Sequence, residues 1–235
     1  MHYSTMSKGL SNIELYYTLN ENKSDGIILL TNDEYKHAVK VMRNSLGDEI
    51  YITDGAGSIF KCEIVNIEPD KLTANVLEEF NGENRLGNIF FCIPKLKNPN
   101  RFKFAIEKCV ELGITNFMVF ESERTVSKGM NIKRWEMIAL SAMKQSLSSF
   151  KPNIQIIKSL DEVENCEGEK IIFEQNAEKE FQFNNDSTIN YYFIFGPEGG
   201  LDVNELKLSA SSSIFSLGDR RLRSETAIVK VASML

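Results

Sequence analysis

The stretch 190–200, NYYFIFGPEGG, joins an apolar run of strand length to a loop with three glycines in five residues. A short apolar run of this kind is typical of a strand buried on both faces, as in parallel sheets. Gly196, Gly199 and Gly200 permit positive φ angles and close approach of a ligand to the backbone. Because ligands bind beyond the carboxyl ends of strands in open parallel sheets, this loop is a candidate binding site. A tight connection without a ligand remains the alternative interpretation.

Apolar strands alternate with amphipathic helices on both sides of this stretch, from Asn88 to the end of the sequence. Strands are predicted at 89–93, 114–120, 154–157, 170–174, 190–195 and 213–217, and helices at 101–112, around Trp135, at 202–210 and from 224 onward. The alternation predicts an α/β domain in which helices cover both faces of a parallel sheet. The last helix is apolar around nearly its whole circumference, which indicates burial inside the protein or in a subunit interface.

The first 80 residues instead show the two-residue period of β-strands. Predicted strands lie at 27–30, 49–54, 59–67 and 72–77, and Asn32 is predicted to cap a short helix that runs through Arg43. A small antiparallel barrel or meander fits this pattern best. The polar turn at 81–84 marks a boundary, so we predict one domain at 1–80 and a second at 85–235.

Composition restricts the class of protein but leaves its partners open. The chain has 235 residues, 42% of them hydrophobic, and a formal net charge of −6. This hydrophobic content excludes general disorder, and the negative charge argues mildly against nucleic acid. Two basic clusters favour nucleic acid, although solvated charge on a helix face is the commoner meaning of such runs: Lys95, Lys97, Arg101 and Lys103, and Arg220, Arg221 and Arg223.

The cysteines and histidines are too few and too scattered for a metal site. Four cysteines at positions 62, 92, 109 and 166 form no CxxC pair, and only His2 and His37 accompany them. We therefore expect reduced, mostly buried thiols and no metal. The apolar runs are far shorter than the ~20 residues that span a bilayer, and the first residues lack a secretory signal, so we expect a cytoplasmic protein.

Charged residues gather in a second loop, 218–225, between the last predicted strand and the last helix. Ser224 or Thr226 can cap that helix, and Glu225 suits its positive N-terminus. Arg220 and Arg223 do not suit this terminus, because a cation near a helix N-terminus meets an unfavourable dipole. An anionic partner would remove this conflict. A third loop, 174–176, follows another predicted strand and opens with Glu174.

Taken together, these segments resemble the RsmE family of 16S rRNA uridine-N3 methyltransferases. The motifs that carry the resemblance occur in the same order across about 190 residues: His37, Val41–Arg43 and Gly47–Asp48, then Pro94–Lys95, Lys108–Ile114, Ser122–Val126, Trp135, Gln145–Ser146, Gly196–Gly200, and Leu217–Gly218 with Leu222–Ala227. The resemblance implies a small PUA-like β-barrel domain that helps to hold RNA. It also implies a C-terminal SPOUT α/β domain with a trefoil knot, through which the family forms homodimers.

The resemblance further implies an S-adenosyl-L-methionine site and an RNA substrate, 16S rRNA within the small ribosomal subunit. The cofactor-binding residues carried over from the family's three site loops are Glu174, Gly196, Glu198, Gly199, Gly200, Leu217, Gly218 and Leu222. The residues predicted to contact RNA are His37, Arg43, Lys95, Arg101 and Arg220, although a structural hydrogen-bonding role is equally open for His37.

For catalysis, we hypothesise that Arg223, with Arg124 as a second candidate, stabilises the uracil anion that forms when N3 loses its proton. Glu225 is a candidate for the base, although a role at the helix terminus explains it equally well. Because N3 lies on the pairing edge, the target must be unpaired or extruded from its stack.

Three positions depart from the family's pattern and concern RNA contacts. Residues 1–8 contain no arginine, Ser148 stands where an arginine is usual, and Arg221 replaces an apolar residue. Two other functions stay open at this point: a related knotted enzyme that methylates the ribose 2′-oxygen, and an RNA-binding assembly factor without catalysis.

Overall fold

The computed structural model describes residues 13–122, 129–201 and 212–235. These residues form two compact units. The first comprises the described residues up to Asn84 together with Met143–Lys151, and the second comprises those of Arg85–Ala142 and Pro152–Leu235. The predicted helix at 202–210 lies outside the described residues, and so does Arg124.

The first unit is built on a six-stranded sheet. Its strands are β1 (Leu15–Tyr17), β2 (Lys23–Ser24), β3 (Ile27–Thr31), β4 (Glu49–Thr53), β5 (Ser58–Ile67) and β6 (Lys71–Asn81). The order in the sheet is β1-β4-β5-β6-β3-β2. Neighbouring strands are antiparallel except β1 and β4, which run parallel. Two register shifts between β5 and β6 mark irregular pairing, which bends a sheet and increases its twist.

The helix after β3 is shorter than predicted, and its start differs. Helix α1 (Asn32–Lys36) passes into a π-helical turn at His37–Val41. The prediction that Asn32 caps the helix is wrong, because Asn32 is its first residue and has a φ of +53°. Its side-chain amide donates to Thr31 Oγ1 at 3.3 Å. Asparagine tolerates positive φ, so this residue shapes the turn from strand to helix instead of capping it.

Residues Met143–Lys151 pack closely against three glycines of the first unit. The amide of Gly57 donates to the carbonyl of Ser149 at 2.9 Å, and the amide of Lys151 donates to the carbonyl of Gly55 at 2.8 Å. A Cβ added at Gly82 would lie 2.5 Å from Ser149 Oγ. Side chains larger than hydrogen would therefore crowd this segment at these glycines.

Gly55→Ala is expected to lower the free energy of unfolding of the first unit by about 2–4 kcal/mol, from positive-φ strain and overpacking together. The residue has a φ of +71°, and an added Cβ would lie 2.8 Å from Lys151 Cβ. Gly26→Ala is the matched control, because Gly26 has a φ of +76° and no described atom within 4 Å of the added Cβ. Urea unfolding monitored by circular dichroism measures both. Equal losses would show that crowding by Lys151 is not the cause.

The second unit contains a six-stranded parallel sheet. Its strands are β7 (Ile89–Pro94), β8 (Asn116–Phe120), β9 (Asn153–Ile156), β10 (Glu169–Phe173), β11 (Tyr191–Ile194) and β12 (Ser213–Phe215). The order is β12-β10-β11-β7-β8-β9, and each neighbouring pair is parallel. The predicted α/β class is confirmed. All four residues of β11 are buried, as its apolar sequence predicts.

Four described helices belong to this part of the chain: α2 (Pro99–Glu111), α3 (Ile132–Gln145), α4 (Asp161–Glu164) and α5 (Ser224–Ala232). Helix α2 is capped by Asn98, whose side chain accepts from the amides of Asn100 and Arg101. None of the helices in the described ranges is long and apolar enough to cross a membrane.

The last helix, α5, packs against α2. The thiol of Cys109 on α2 lies 4.0 Å from the carbonyl oxygen of Ile228 on α5, and both residues are fully buried. The outer positions of α5 are not fully covered, since Val229 is half-buried and Met234, just past its end, is 39% exposed. The prediction of burial inside the protein therefore holds for one face of this helix.

Three of the four cysteines are buried and all four are free thiols. Burial raises the pKa of the Cys62 thiol to about 12, and it also raises the pKa values of Cys92 and Cys109. These thiols are protonated at neutral pH and behave as small apolar side chains.

Candidate functional site

Three loops meet at one edge of the parallel sheet, because β12, β10 and β11 are parallel neighbours and their carboxyl ends lie together. We name them the amide loop (174–176), the glycine loop (196–200) and the arginine loop (217–223). They enclose a cavity of about 770 Å³. The cavity is lined by Arg101, Phe173, Glu174, Gln175, Asn176, Phe195, Gly196, Pro197, Glu198, Gly199, Gly200, Leu217, Gly218, Arg220, Arg221, Leu222, Arg223, Ser224 and Ala227.

All eight residues predicted to bind a cofactor line this cavity. Two aromatic residues that were not predicted also line it: Phe173 at the end of β10 and Phe195 just after β11. Their rings stack with centroids 5.1 Å apart at an interplanar angle of 18°. The sequence contained a sign of this role in the position of each residue, since each is the last apolar residue before one of the three loops. Together the two rings give the cavity an apolar wall.

The glycine loop is both a tight turn and a wall of the cavity. The amide of Gly200 donates to the carbonyl of Pro197 at 2.9 Å, and Gly200 has a φ of +73°. A Cβ at Gly196 would lie 3.3 Å from the amide nitrogen of Leu201, tighter than ordinary van der Waals contact. The loop can therefore be a tight connection between two elements and also form part of a ligand-binding site.

The arginine loop is held in place by a lysine of α5. The ammonium of Lys230 donates to the carbonyl of Leu217 at 2.7 Å. The next residue, Gly218, has a φ of +100°, which side chains with a Cβ rarely adopt. Leu217 is buried and Leu222 is half-buried, so this loop presents apolar side chains to the cavity next to its arginines.

Ser224 connects the glycine loop to α5. Its hydroxyl donates to the carbonyl of Gly196 at 2.7 Å. The prediction that Ser224 or Thr226 caps the helix is wrong: the cap position belongs to Arg223, and no side chain among the described residues caps it there. Thr226 is exposed within the first turn. Ser224 is already the first helical residue, one position past the cap, and its hydroxyl donates to a carbonyl of another loop.

Ser224→Ala is expected to weaken ligand binding in the cavity by about fivefold to tenfold, because one hydrogen bond contributes about 1 kcal/mol. The loss comes from a glycine loop that is no longer tied to α5. Thr226→Ala is the control, since its exposed hydroxyl has no such role. Isothermal titration with S-adenosyl-L-methionine, the cofactor that the resemblance implies, measures the affinity of each variant. A larger loss for Thr226→Ala would show that the hydrogen bond from Ser224 to Gly196 is not what holds the glycine loop.

The cavity is rich in arginine. Arg101, Arg220, Arg221 and Arg223 line it, against two carboxylates, Glu174 and Glu198. Arg220 and Arg223 are exposed, as are Arg221 and Glu198. The excess of guanidinium groups favours an anionic partner at the mouth. This places the candidate catalytic residue Arg223 and two predicted RNA contacts, Arg101 and Arg220, beside the predicted cofactor residues.

Glu225 lies apart from this surface. Its side chain is 10% exposed, and its Oε1 lies 3.3 Å from Nε of Arg101. It does not line the cavity formed by the described residues, and its Oε2 is buried without a hydrogen-bond partner among them. The catalytic role of Glu225 stays a prediction.

The remaining predicted RNA contacts are not all at free surfaces. Lys95 is only 9% exposed, and its ammonium donates to the carbonyl of Gly129 at 2.5 Å. In the first unit, His37 Nε2 lies 3.6 Å from Glu14 Oε1, and its ring meets the edge of Tyr16. Arg43 is exposed and has a φ of +61°. Their RNA contacts stay predictions.

Comparison with known proteins supplies the family. A model described as an RNA methyltransferase domain matches residues 83–235, more than half of the chain. The chain belongs to the RNA methyltransferase family. A second model, described as an RNA methyltransferase PUA domain, matches residues 30–77. The PUA-like character of the first part of the chain and the RsmE resemblance are thereby confirmed.

Individual RNA methyltransferases are similar over nearly the whole chain. The ribosomal RNA small subunit methyltransferase E of Bacillus subtilis is 28% identical over 221 residues, covering 84% of this chain and 85% of that protein. The enzyme of the same name from Mesomycoplasma hyopneumoniae is 28% identical over 225 residues, covering 92% and 96%. A crystal structure of the Neisseria gonorrhoeae enzyme bound to S-adenosyl methionine has a TM-score of 0.82 at 27% identity, covering 94% and 95%.

Proposed function

We propose that this protein transfers a methyl group from S-adenosyl-L-methionine to N3 of a uridine in the 16S rRNA of the small ribosomal subunit. The observation that supports this most is the cavity at the carboxyl ends of β10, β11 and β12, where all eight predicted cofactor residues meet. The names of the relatives support an rRNA substrate, and the S-adenosyl methionine in the Neisseria gonorrhoeae structure supports the cofactor.

The residues present fit this cofactor. A cavity of about 770 Å³ falls within the range of roughly 300–1,000 Å³ typical of small-molecule sites. The glycines of the glycine loop leave room for close approach to the backbone, and Leu217, Leu222 and Phe195 provide apolar walls. When bound, S-adenosyl-L-methionine supplies an electrophilic methyl group on a sulfonium.

The protein's own contribution is to position the uridine and to stabilise charge. N3 must lose its proton before or during attack, which leaves negative charge on the uracil carbonyl oxygens. Arg223 lies at the cavity wall and always carries a positive charge, so its guanidinium stabilises that anion. Arg124 keeps its place as a second candidate for this role.

The RNA partner binds residues of both parts of the protein. His37 and Arg43 of the first unit contact the RNA backbone together with Lys95, Arg101 and Arg220 of the second. The Lys95 ammonium also donates to the carbonyl of Gly129. The protein acts in the cytoplasm, where ribosomal subunits are assembled, and forms a homodimer through its methyltransferase domain. The incompletely covered Val229 and Met234 support the dimer.

Labelled S-adenosylmethionine and small ribosomal subunits that lack the modification test the proposal. Labelled 3-methyluridine after digestion of the RNA to nucleosides is the expected product. Fully modified subunits, which offer no free N3, are the control. A 2′-O-methylated nucleoside would show the ribose-methylating alternative instead. If the cofactor does not bind at all, the protein is an RNA-binding factor and the catalytic proposal is wrong.

A further inference from the structure

Arg101 and Glu225 form an ion pair between the first turns of α2 and α5. Nε of Arg101 lies 3.3 Å from Oε1 of Glu225, longer than the roughly 2.7–2.9 Å of a charge-assisted hydrogen bond. The arginine side chain is 35% exposed and lines the cavity, whereas the glutamate side chain is 10% exposed. The pair thus joins a mostly buried carboxylate to a cation that lines the cavity.

The pair is an incomplete stabilising contact. Glu225 Oε2 is buried without a partner in the described part of the chain, and a buried polar atom that lacks a partner costs free energy. Buried residues of α2 and α5, including Cys109 and Ile228, already hold the two helices together. An ion pair whose cation is partly exposed to solvent contributes little to stability, so stability alone does not account for this one.

The helix termini explain how the charges are arranged. Glu225 lies in the first turn of α5, where the positive end of the helix favours a carboxylate. Arg101 lies in the first turn of α2, where the same effect disfavours a cation. Arg101 therefore keeps its position through nearby negative charge. Glu225 provides one anion, and the remaining guanidinium N–H groups are left for a second.

We propose that Glu225 is a positioning residue, which holds the Arg101 guanidinium at the cavity so that Arg101 binds a backbone phosphate beside the target uridine. The proposal rests on the proposed function and assigns one of the contacts that position its RNA substrate. A guanidinium presents parallel N–H donors that match phosphate oxygens, and the neighbouring arginines make the mouth favourable for a polyanion. A general base must lie within hydrogen-bond reach of the proton that it takes, and Glu225, whose side chain is 10% exposed and paired with Arg101, does not line the cavity formed by the described residues.

Steady-state kinetics with small ribosomal subunits separate positioning from proton abstraction. Arg101→Ala should raise KM for the particle by about tenfold, and Glu225→Gln by about threefold to tenfold, with kcat at saturation changed less than about threefold. Glutamine keeps the shape of the side chain and a polar oxygen near Nε but loses the charge, so Glu225→Gln should be milder than Glu225→Ala. The double variant should resemble Arg101→Ala alone, because both changes remove one contact.

Equilibrium RNA binding provides an independent readout. The slope of log affinity against log salt should fall by about 0.7–0.9 for Arg101→Ala, the value for one lost phosphate contact. The Lys103–Glu107 ion pair on the surface of α2, with a separation of 3.7 Å, is the matched control. Glu107→Gln, which removes the carboxylate of that pair, should change KM less than about twofold.

Several outcomes would overturn the proposal. The first is a loss of kcat of about 100-fold or more in Glu225→Gln at unchanged KM, which would indicate a general base. The second is an unchanged salt slope in Arg101→Ala. The third is an additive effect of the two changes in the double variant. Thermal melting and cofactor titration of each variant exclude misfolding as the cause. If the wild-type protein transfers no methyl group, the salt slopes still test the pair, so failure of the proposed function is distinguished from failure of this inference.

Discussion

Arg223→Ala is expected to lower kcat for methyl transfer by about 100-fold to 1,000-fold, the usual effect of removing a group that stabilises charge only in the transition state. Arg223 is exposed and lines the cavity, and it does not pack in the core. The affinity for S-adenosylmethionine should therefore change little, and so should the melting temperature. Single-turnover rates with saturating cofactor and small ribosomal subunits measure the chemical step directly.

Two further variants sharpen this test. Arg223→Lys keeps the charge and loses the planar fork of donors, so it should recover only part of the rate. Arg134→Ala removes an exposed arginine from α3 in the same unit and serves as the control for a lost surface charge. An Arg223→Ala variant with the wild-type single-turnover rate would exclude Arg223 from catalysis. Arg124 would then be the remaining candidate for the role.

The strands of the second unit could be predicted because their sequences are strongly patterned. The run at 191–195 has no charged residue, and the structure buries all four residues of β11 as the middle of a parallel sheet. Glycines preceded by such strands indicated the loops at the sheet edge. The order of the strands could not be read from the sequence, since parallel pairing depends on contacts between distant residues.

Local hydrogen bonding was less predictable than strand positions. Ser224 has the residue type and the position of a helix cap, yet its hydroxyl donates to Gly196, 28 residues earlier in the chain. Asn32 likewise has the residue type of a cap but adopts positive φ inside α1. In both cases the residue type suits a helix cap and also another local role, and the tertiary structure determines which of the two occurs. The contact of Arg101 with Glu225 has the same origin, because it joins two helices that are far apart in sequence.

Gly218→Val is expected to weaken S-adenosylmethionine binding by about 100-fold or more, equivalent to about 2.7 kcal/mol. Gly218 has a φ of +100°, which a β-branched residue adopts only with severe strain. The arginine loop should relax to another backbone conformation and displace Leu217 and Leu222 from the cavity wall. Among the described residues, a Cβ added here lies within 4 Å of only Lys230 Nζ at 3.8 Å and Glu180 Oε1 at 3.9 Å, so backbone strain is the larger cause of the expected loss.

Gly47→Val is the matched control, because Gly47 in the first unit has a φ of +86° and no described atom within 4 Å of an added Cβ. It imposes similar strain away from the cavity, so its melting temperature should fall while its cofactor affinity stays unchanged. Isothermal titration of both variants compares the two effects. Unchanged affinity in Gly218→Val would mean that the arginine loop does not form a wall of the cofactor site. The cofactor would then depend on the glycine and amide loops, and the arginines would serve the RNA alone.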